Sequence, residues 1–150
     1  MTTATPDEKR ALILSAAFYP DIADLLERDA LVILTPAGFT TTVHRVPGAF
    51  ELPTALAIAL EGSRHDIYIA LGAIIRGETS HYDFICRSVT SELQRIASAE
   101  RLAFGFGVIT AEKKSQAYRR ADGGGRHRVA ARAVEAALVL HRLRVSAAEN

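Results

Sequence analysis

The chain has 150 residues, of which 49% are hydrophobic, and a formal net charge of +1 at pH 7. A chain of this length fits one domain, so we expect a single unit over residues 1–150 with loose tails at about 1–9 and 146–150. The near-neutral charge gives no electrostatic reason to expect nucleic acid or a membrane surface as a partner.

The single cysteine, Cys86, cannot form an internal disulfide, which is typical of a protein in a reducing compartment. The first ten residues are polar and charged and contain no apolar run of the signal-peptide type. No stretch reaches the roughly 20 apolar residues that a membrane helix requires. We therefore expect a cytoplasmic location.

The first half of the chain alternates apolar or β-branched runs with amphipathic stretches. A strand is predicted where a short apolar run ends before Pro20, and a helix where apolar residues then recur at three- and four-residue steps. A β-branched run predicts the next strand, and Pro53 falls in the first turn of the next helix, where proline is tolerated. The predicted spans are strand 11–18, helix 20–34, strand 40–46 and helix 51–60.

The second half begins with the most apolar segment of the chain, Ile67–Ile75. This segment lacks polar alternation, as expected of a central parallel strand that is covered on both faces. The helix that follows has an apolar stripe made of Phe84, Ile85, Val89, Leu93 and Ile96. The predicted spans are strand 67–75, helix 81–100, strand 102–110 and helices 112–121 and 128–143.

Strands that alternate with helices predict a parallel sheet with right-handed crossovers. The predicted fold class is therefore α/β, a four-stranded parallel sheet flanked by helices on both faces, as in a flavodoxin-like three-layer sandwich. Ligands of such open sheets bind beyond the carboxyl ends of the strands. The segments predicted at that edge are 18–19, 47–51, 72–81 and 106–110.

The start of the helix after the central strand is a candidate anion site. Free backbone N–H groups and the helix dipole attract an anion there, and Gly77 allows the ligand a close approach. The alternative is an ordinary helix start that is capped by Thr79 or Ser80. His81 lies in the first turn, where a histidine can titrate near neutral pH and serve as an acid or a base.

Other residues at the same edge suit a flat, phosphorylated ligand, and each also has an ordinary structural explanation. Arg119 or Arg120 could pair with phosphate oxygens, or both could lie on a solvated helix face. Phe18, Phe50 and Phe106 could stack on a heterocycle, or they could belong to the core. No pair of histidines has metal-ligand spacing, so no metal site is expected.

Four motifs occur in the order and at the spacings of one enzyme family. They are VPGAFELP at 46–53, GAIIRGETSHYDF at 72–84, FGVIT at 106–110 and QAYRRA at 116–121. Through them the chain resembles the lumazine synthase family from about Ala11 to Leu143. The resemblance implies condensation of 5-amino-6-(D-ribitylamino)uracil with 3,4-dihydroxy-2-butanone 4-phosphate. The products would be 6,7-dimethyl-8-ribityllumazine, phosphate and water, at the penultimate step of riboflavin biosynthesis, with no metal or organic cofactor.

The resemblance also implies roles for individual residues. The position of the family's catalytic histidine falls on His81. The contacts to the phosphate substrate fall on Glu78, Thr79 and Arg120. The contacts to the pyrimidine substrate fall on Phe18, Ala49, Phe50, Glu51, Ala73, Ile74, Ile75 and Phe106.

The resemblance implies a homo-oligomer with active sites between adjacent subunits of a pentamer. Phe106 and Arg120 would come from one subunit, and most of the other contacts from its neighbour. Members of the family occur as pentamers, decamers or hollow icosahedral shells, and the sequence does not decide among these. Riboflavin synthase is a candidate partner protein.

The chain departs from the family pattern at two places. It has Ala17, Phe18 and Tyr19 where the family often has Arg-Phe-Asn, so the polar contact of the asparagine is lost. It has GGGRHR over residues 123–128 where the family often has Asn-Lys-Gly, and Arg126 is the candidate replacement for the lysine.

Three other functions fit part of this pattern. The chain could bind a lumazine or a flavin without catalysis, or it could form a shell whose catalysis is incidental. It could also be a flavodoxin-type electron carrier, but such carriers are usually acidic, whereas this chain is nearly neutral.

Overall fold

The computed structural model describes residues 8–77 and 81–150, and these residues form one parallel sheet with helices on both faces. The strands are β1 (Lys9–Ala16), β2 (Phe39–Val46), β3 (Ile67–Ile75) and β4 (Phe104–Ala111). The helices are α1 (Pro20–Leu34), α2 (Leu52–Ala59), α3 (His81–Ala99), α4 (Lys114–Ala121) and α5 (Val129–Ala148). A short 3-10 helix, Ala49–Glu51, precedes α2.

The strand order is β2-β1-β3-β4, and all three neighbouring pairs are parallel. This is the order of a flavodoxin-like sheet without its last strand. The central strand β3 is buried from Ile67 to Ile74, as its unbroken apolar sequence predicts. The predicted α/β fold class is confirmed.

Two apolar cores lie on opposite faces of the sheet. Helices α1, α4 and α5 cover one face, and α2 and α3 cover the other. The first core is built around Ile13, Leu26, Ile69, Ile109 and Val134. The second core is built around Leu14, Leu52, Leu56, Val89 and Leu93. The carboxyl edge of the sheet stays open between these layers.

The structure corrects several predicted boundaries. Strand β1 runs from Lys9 to Ala16 because its pairing with β2 spans that length, so Lys9 is not part of a loose tail. Phe18 lies beyond the strand and is 69% exposed. Helix α5 continues to Ala148, because no glycine or proline interrupts it, so Ser146–Ala148 are helical and not loose. Phe84 is 68% exposed and lies outside the buried stripe of α3.

Two glycines of β4 let α5 pack closely on the sheet. A Cβ atom at Gly105 would collide with the backbone carbonyl oxygen of Ala133. A Cβ atom at Gly107 would lie 2.7 Å from Leu71 Cδ2 and 3.1 Å from Ala133 Cβ. The Gly-Phe-Gly sequence is therefore a packing feature.

A partly buried ion pair connects the start of α5 to α1. Arg128 Nη2 donates to Asp29 Oδ1 at 2.8 Å, and the Asp29 side chain is only 4% exposed. Arg128 has a φ of 40°, in the left-handed region that side chains rarely adopt. The pair compensates a buried carboxylate and fixes the end of the 123–128 loop.

In the part of the chain that the structure describes, no helix is both long enough and apolar enough to cross a membrane.

Candidate active site

A cleft of about 330 Å³ lies at the carboxyl edge of the sheet. This volume is at the lower end of the range typical of small-molecule sites, which is roughly 300–1,000 Å³. Its walls are the segments that follow β1 and β2, the end of β3 with Gly77, and the first turns of α3. The lining residues are Phe18, Tyr19, Gly48, Ala49, Phe50, Glu51, Ala73, Ile74, Ile75, Gly77, His81, Tyr82 and Ile85.

Two exposed phenylalanines stand at the mouth of the cleft. Phe18 is 69% exposed and Phe50 is 61% exposed, although phenylalanine is usually buried. Phe18 lies edge-on to Tyr19, with the ring centroids 5.0 Å apart. Two exposed aromatic rings beside one cleft provide faces on which a flat ligand can stack.

Tyr19 holds the chain between β1 and α1. Its ring lies 5.6 Å from Lys114 Nζ at the start of α4, and Pro20 begins α1 directly after it. Tyr19 is half-buried and packs against the core beneath α1. It contributes an aromatic wall to the cleft.

The Ala49–Glu51 turn forms the wall that follows β2. Gly48 is extended, and the backbone N–H of Glu51 donates to the Gly48 carbonyl oxygen at 3.2 Å. Ala49 is buried, which leaves Phe50 and Glu51 as the more accessible side chains. The turn therefore presents one aromatic and one acidic side chain at the cleft.

His81 is the first residue of α3, and its side chain lines the cleft. Ile85 lies one helical turn later and so shares a face with His81. Tyr82 is half-buried beside them, and burial raises the pKa of its phenol above the usual value. The guanidinium of Arg76 lies over the Tyr82 ring, 4.4 Å from its centroid. His81, Tyr82 and Ile85 thus bring the start of α3 to the cleft.

The position of Cys86 supports a packing role. The side chain is half-buried against the core beneath α3, and burial raises the pKa of its thiol. A thiol with a raised pKa is a poor nucleophile near neutral pH. Cys86 therefore packs beneath α3.

In residues 8–77 and 81–150, no group of three or more His, Cys, Asp or Glu side chains is arranged to hold a metal ion.

The model of the 6,7-dimethyl-8-ribityllumazine synthase family matches residues 8–144, almost the whole chain. The chain belongs to this family.

Its curated relatives include 6,7-dimethyl-8-ribityllumazine synthase 1 of Rhizobium meliloti, which is 41% identical over 124 residues, covering 76% of this chain and 81% of the relative. The 6,7-dimethyl-8-ribityllumazine synthase of Agrobacterium fabrum is 42% identical over 114 residues, covering 73% and 77%. That of Methylobacterium radiotolerans is 39% identical over 140 residues, covering 89% and 83%.

The cleft brings together most of the residues to which the lumazine synthase resemblance assigns roles. Its lining includes His81 and seven of the residues predicted to contact the pyrimidine, namely Phe18, Ala49, Phe50, Glu51, Ala73, Ile74 and Ile75. Glu78 and Thr79, which are predicted to contact the phosphate, lie outside the described residues.

Three residues of the predicted site are not among the described residues that line this cleft. Phe106 is 40% exposed in the first half of the edge strand β4, paired with Ala70, and therefore lies away from the carboxyl edge. Arg120 is half-buried on α4, where its Nη1 donates to the Gln116 carbonyl oxygen at 3.2 Å. Arg126 is exposed in the loop before α5.

Five cleft residues had no predicted substrate contact. They are Tyr19, Gly48, Gly77, Tyr82 and Ile85. The first three lie in segments that were predicted at the carboxyl edge of the sheet. Ile85 also had a sequence signal, because a residue at i+4 from His81 lies on the same side of the helix. Tyr82 had no such signal.

Proposed function

We propose that this chain catalyses the condensation of 5-amino-6-(D-ribitylamino)uracil with 3,4-dihydroxy-2-butanone 4-phosphate. The products are 6,7-dimethyl-8-ribityllumazine, phosphate and water. The observation that carries the proposal is a cleft, in a member of this family, that is lined by one histidine and by two exposed phenylalanines. The single cysteine of the chain agrees with a cytoplasmic setting for this reaction.

The pyrimidine binds between the aromatic mouth and the end of the central strand. Phe18 and Phe50 supply stacking faces, and Ala73–Ile75 supplies apolar side chains together with backbone groups at the strand end. Glu51 offers a carboxylate that can accept hydrogen bonds from the ring or from the ribityl hydroxyls. This arrangement suits a flat ring with a polar tail.

The phosphate of the second substrate binds at the start of α3. A helix start attracts an anion through free N–H groups and the helix dipole, and α3, with 19 residues, is long enough to have a full dipole. Glu78 and Thr79 are the proposed local contacts. Arg120 is the proposed cation, since its planar fork can pair with two phosphate oxygens.

The chemistry needs positioning and proton transfer. The uracil amine attacks the ketone and forms an imine with loss of water. The neighbouring carbon then loses a proton as phosphate leaves, and the resulting enol tautomerises to a ketone. The second amine attacks this ketone and closes the ring with loss of water. His81 accepts and returns protons during imine formation and phosphate loss. Holding both substrates in register removes much of the entropic cost of their encounter.

The complete site forms between subunits of a homo-oligomer, a pentamer or an assembly of pentamers. One chain supplies the cleft, and Phe106 and Arg120 of a neighbouring subunit close it. Both residues lie off the cleft of their own chain, and an exposed phenylalanine on an edge strand is available to a neighbour. Riboflavin synthase is the proposed partner protein, because it would consume the product.

The test is an assay of the purified full chain with both substrates, followed through the absorbance and fluorescence of the lumazine. We expect enzyme-dependent product above the spontaneous background, and no product when either substrate is omitted. If protein confirmed as pentameric or larger forms no product, the proposal is wrong. A flavin titration then tests whether the cleft only binds a ligand.

A further inference from the structure

One guanidinium joins three elements at the carboxyl edge of the sheet. Arg76 follows β3 directly, and its Nη1 and Nη2 atoms each lie 3.3 Å from the carboxylate of Asp83 on α3. Its Nε donates to Glu112 Oε2, just after β4, at 2.7 Å. Its planar group lies over the ring of Tyr82, 4.4 Å from the centroid.

The charges around Arg76 make it a poor ligand for a phosphate. Hydrogen bonds to Asp83 and Glu112 keep the pKa of Arg76 above its ordinary value, so the group stays charged. The carboxylates of Asp83 and Glu112 already accept hydrogen bonds from its Nε, Nη1 and Nη2 atoms, so its fork is not available to pair with phosphate oxygens. Its contacts instead fix the position of the elements around it.

The contacts of Arg76 with Asp83 and Tyr82, which we call the Asp83 arm, connect Arg76 to the segment that contains His81. Asp83 and Tyr82 both lie in the first turn of α3, and Tyr82 lines the cleft beside His81. Arg76 binds the carboxylate of Asp83 and lies over the ring of Tyr82. The direction of this first turn, and hence of the His81 ring, is therefore tied to the end of β3.

The contact of Arg76 with Glu112, which we call the Glu112 arm, connects Arg76 through Gln116 to Arg120. Gln116 Oε1 accepts the backbone N–H of Glu112 at 2.9 Å and that of Lys113 at 3.2 Å, which caps the start of α4. The carbonyl oxygen of the same glutamine accepts Arg120 Nη1 at 3.2 Å. An unbroken series of contacts thus runs from Arg76 through Glu112 and Gln116 to Arg120.

We propose that Arg76 is a positioning residue of the active site. It fixes the position of His81 through Asp83 and Tyr82, and it fixes the position of Arg120 through Glu112. The inference rests on the proposed function, because the roles of His81 and Arg120 come from it. It assigns separate effects to the two arms. The Asp83 arm serves proton transfer, and the Glu112 arm serves binding of the phosphate substrate.

The ion pairs of Arg76 are exposed, so each contributes little to global stability. Small displacements of reacting groups, by contrast, reduce rates strongly. The variants Asp83→Asn and Glu112→Gln are therefore expected to fold and to reveal their effect in kinetics. Glu92→Gln is the matched control, because it removes an exposed pair with Arg95, at 2.8 Å, further along the same helix.

The experiment compares steady-state kinetics of these variants in the full chain, with oligomeric state checked by size-exclusion chromatography. We expect Asp83→Asn to lower kcat about tenfold and to change the KM of the butanone phosphate less than about twofold. We expect Glu112→Gln to raise that KM about tenfold with kcat within about twofold of the wild type. Arg76→Ala should show both effects, and Arg76→Lys should recover part of each, since lysine keeps the charge but not the fork.

Equal losses in kcat and in affinity from both single-arm variants would indicate a general structural role and overturn the inference. Variants that match Glu92→Gln would overturn it as well.

Hydrogen exchange by mass spectrometry gives a second readout that needs no activity. Asp83→Asn should speed exchange in the His81–Cys86 segment and leave the Lys114–Ala121 segment unchanged. Glu112→Gln should speed exchange in the Lys114–Ala121 segment and leave the His81–Cys86 segment unchanged. Exchange that matches the Glu92→Gln control in both segments would contradict the positioning role even if the wild type makes no lumazine. A wild type without product, in contrast, refutes the proposed function.

Discussion

At the scale of single residues, the exposed phenylalanines of the cleft are the clearest sign of a ligand. Phe50→Ala should raise the KM of the pyrimidine substrate about tenfold, because a stacking face is lost. Initial rates at varied pyrimidine concentration measure this. Phe84→Ala is the control, since Phe84 is 68% exposed but does not line the cleft. Equal KM values for the two variants would contradict stacking at Phe50.

His81 carries the proposed proton transfer, and its replacement should affect chemistry but not folding. We expect His81→Ala to lower kcat about 10²- to 10⁴-fold, the usual contribution of one positioned acid or base. Size-exclusion chromatography should give the wild-type profile. His44→Ala, at an exposed site on β2, should keep full activity. Full turnover in His81→Ala would mean that another group moves the protons.

His65 should make the fold sensitive to acid. Burial, together with the nearby charge of Arg10, lowers the pKa of His65 below its ordinary 6.5. Arg10 Nη2 lies 3.4 Å from His65 Nε2, so a neutral ring is favoured. The unfolded chain therefore binds a proton at this position before the folded chain does, and the free energy of unfolding falls as pH falls through 6.5.

Replacement of His65 should reduce that sensitivity. Between about pH 8 and 5, Tm should fall less for His65→Asn than for the wild type, as measured by thermal unfolding at several pH values. His127→Asn, in an exposed loop, should follow the wild type. A parallel fall in Tm for wild type and His65→Asn would show that other groups determine the acid response.

At the scale of elements, the close contact of β4 with α5 depends on glycine. Gly105→Ala should lower Tm by about 3–10 °C, because overpacking of this kind costs about 1–3 kcal/mol and the helix must move away. Differential scanning calorimetry measures the change. Gly62→Ala should leave Tm near the wild-type value, since its Cβ would lie 3.6 Å from the nearest atom, the Ala59 carbonyl oxygen. An unchanged Tm for Gly105→Ala would mean that α5 can move away from β4 without a loss of stability.

The sequence predicted all strands and the main helices because their patterns are local. The uninterrupted apolar run of β3 is correct at both ends, and Pro53 lies in the first turn of α2 as expected. The predicted boundaries of strands and helices were wrong where a pairing partner or tertiary packing determines where the element ends. Lys9 joins β1 through its partner Phe39 on β2, and no local pattern reveals that partner.

The site was predictable to the extent that its motifs lie at the ends of strands. His81 and Phe50 reach the cleft because parallel strands bring their carboxyl ends to one edge. Tyr19 lies in a segment predicted at this edge, but its contact with Lys114 of α4 was not predicted, because a local motif does not reveal a partner on another element. The Arg76 cluster was missed for the same reason, as its partners Asp83 and Glu112 come from different elements.

At the scale of the whole molecule, the proposed division of the site between subunits predicts complementation. His81→Ala and Arg120→Ala chains, each nearly inactive alone, should regain activity when they are dissociated and reassembled together. With random mixing, about a quarter of the sites should combine an intact histidine with an intact arginine from the neighbour. Product formation by the reassembled mixture measures this. No recovery would mean that both residues act within one chain.

The contact between α1 and α5 has a consequence for synthesis of the protein. Both helices belong to one core, so the apolar face of α1, with Ile22 and Leu26, is covered in part by residues such as Val134 and Ala137. At roughly 5–20 residues per second, the ribosome makes α1 on the order of ten seconds before it completes α5. During that interval the nascent chain displays an unfinished apolar surface. The interval during which chaperones can bind it is therefore set by the length of chain that separates α1 from α5.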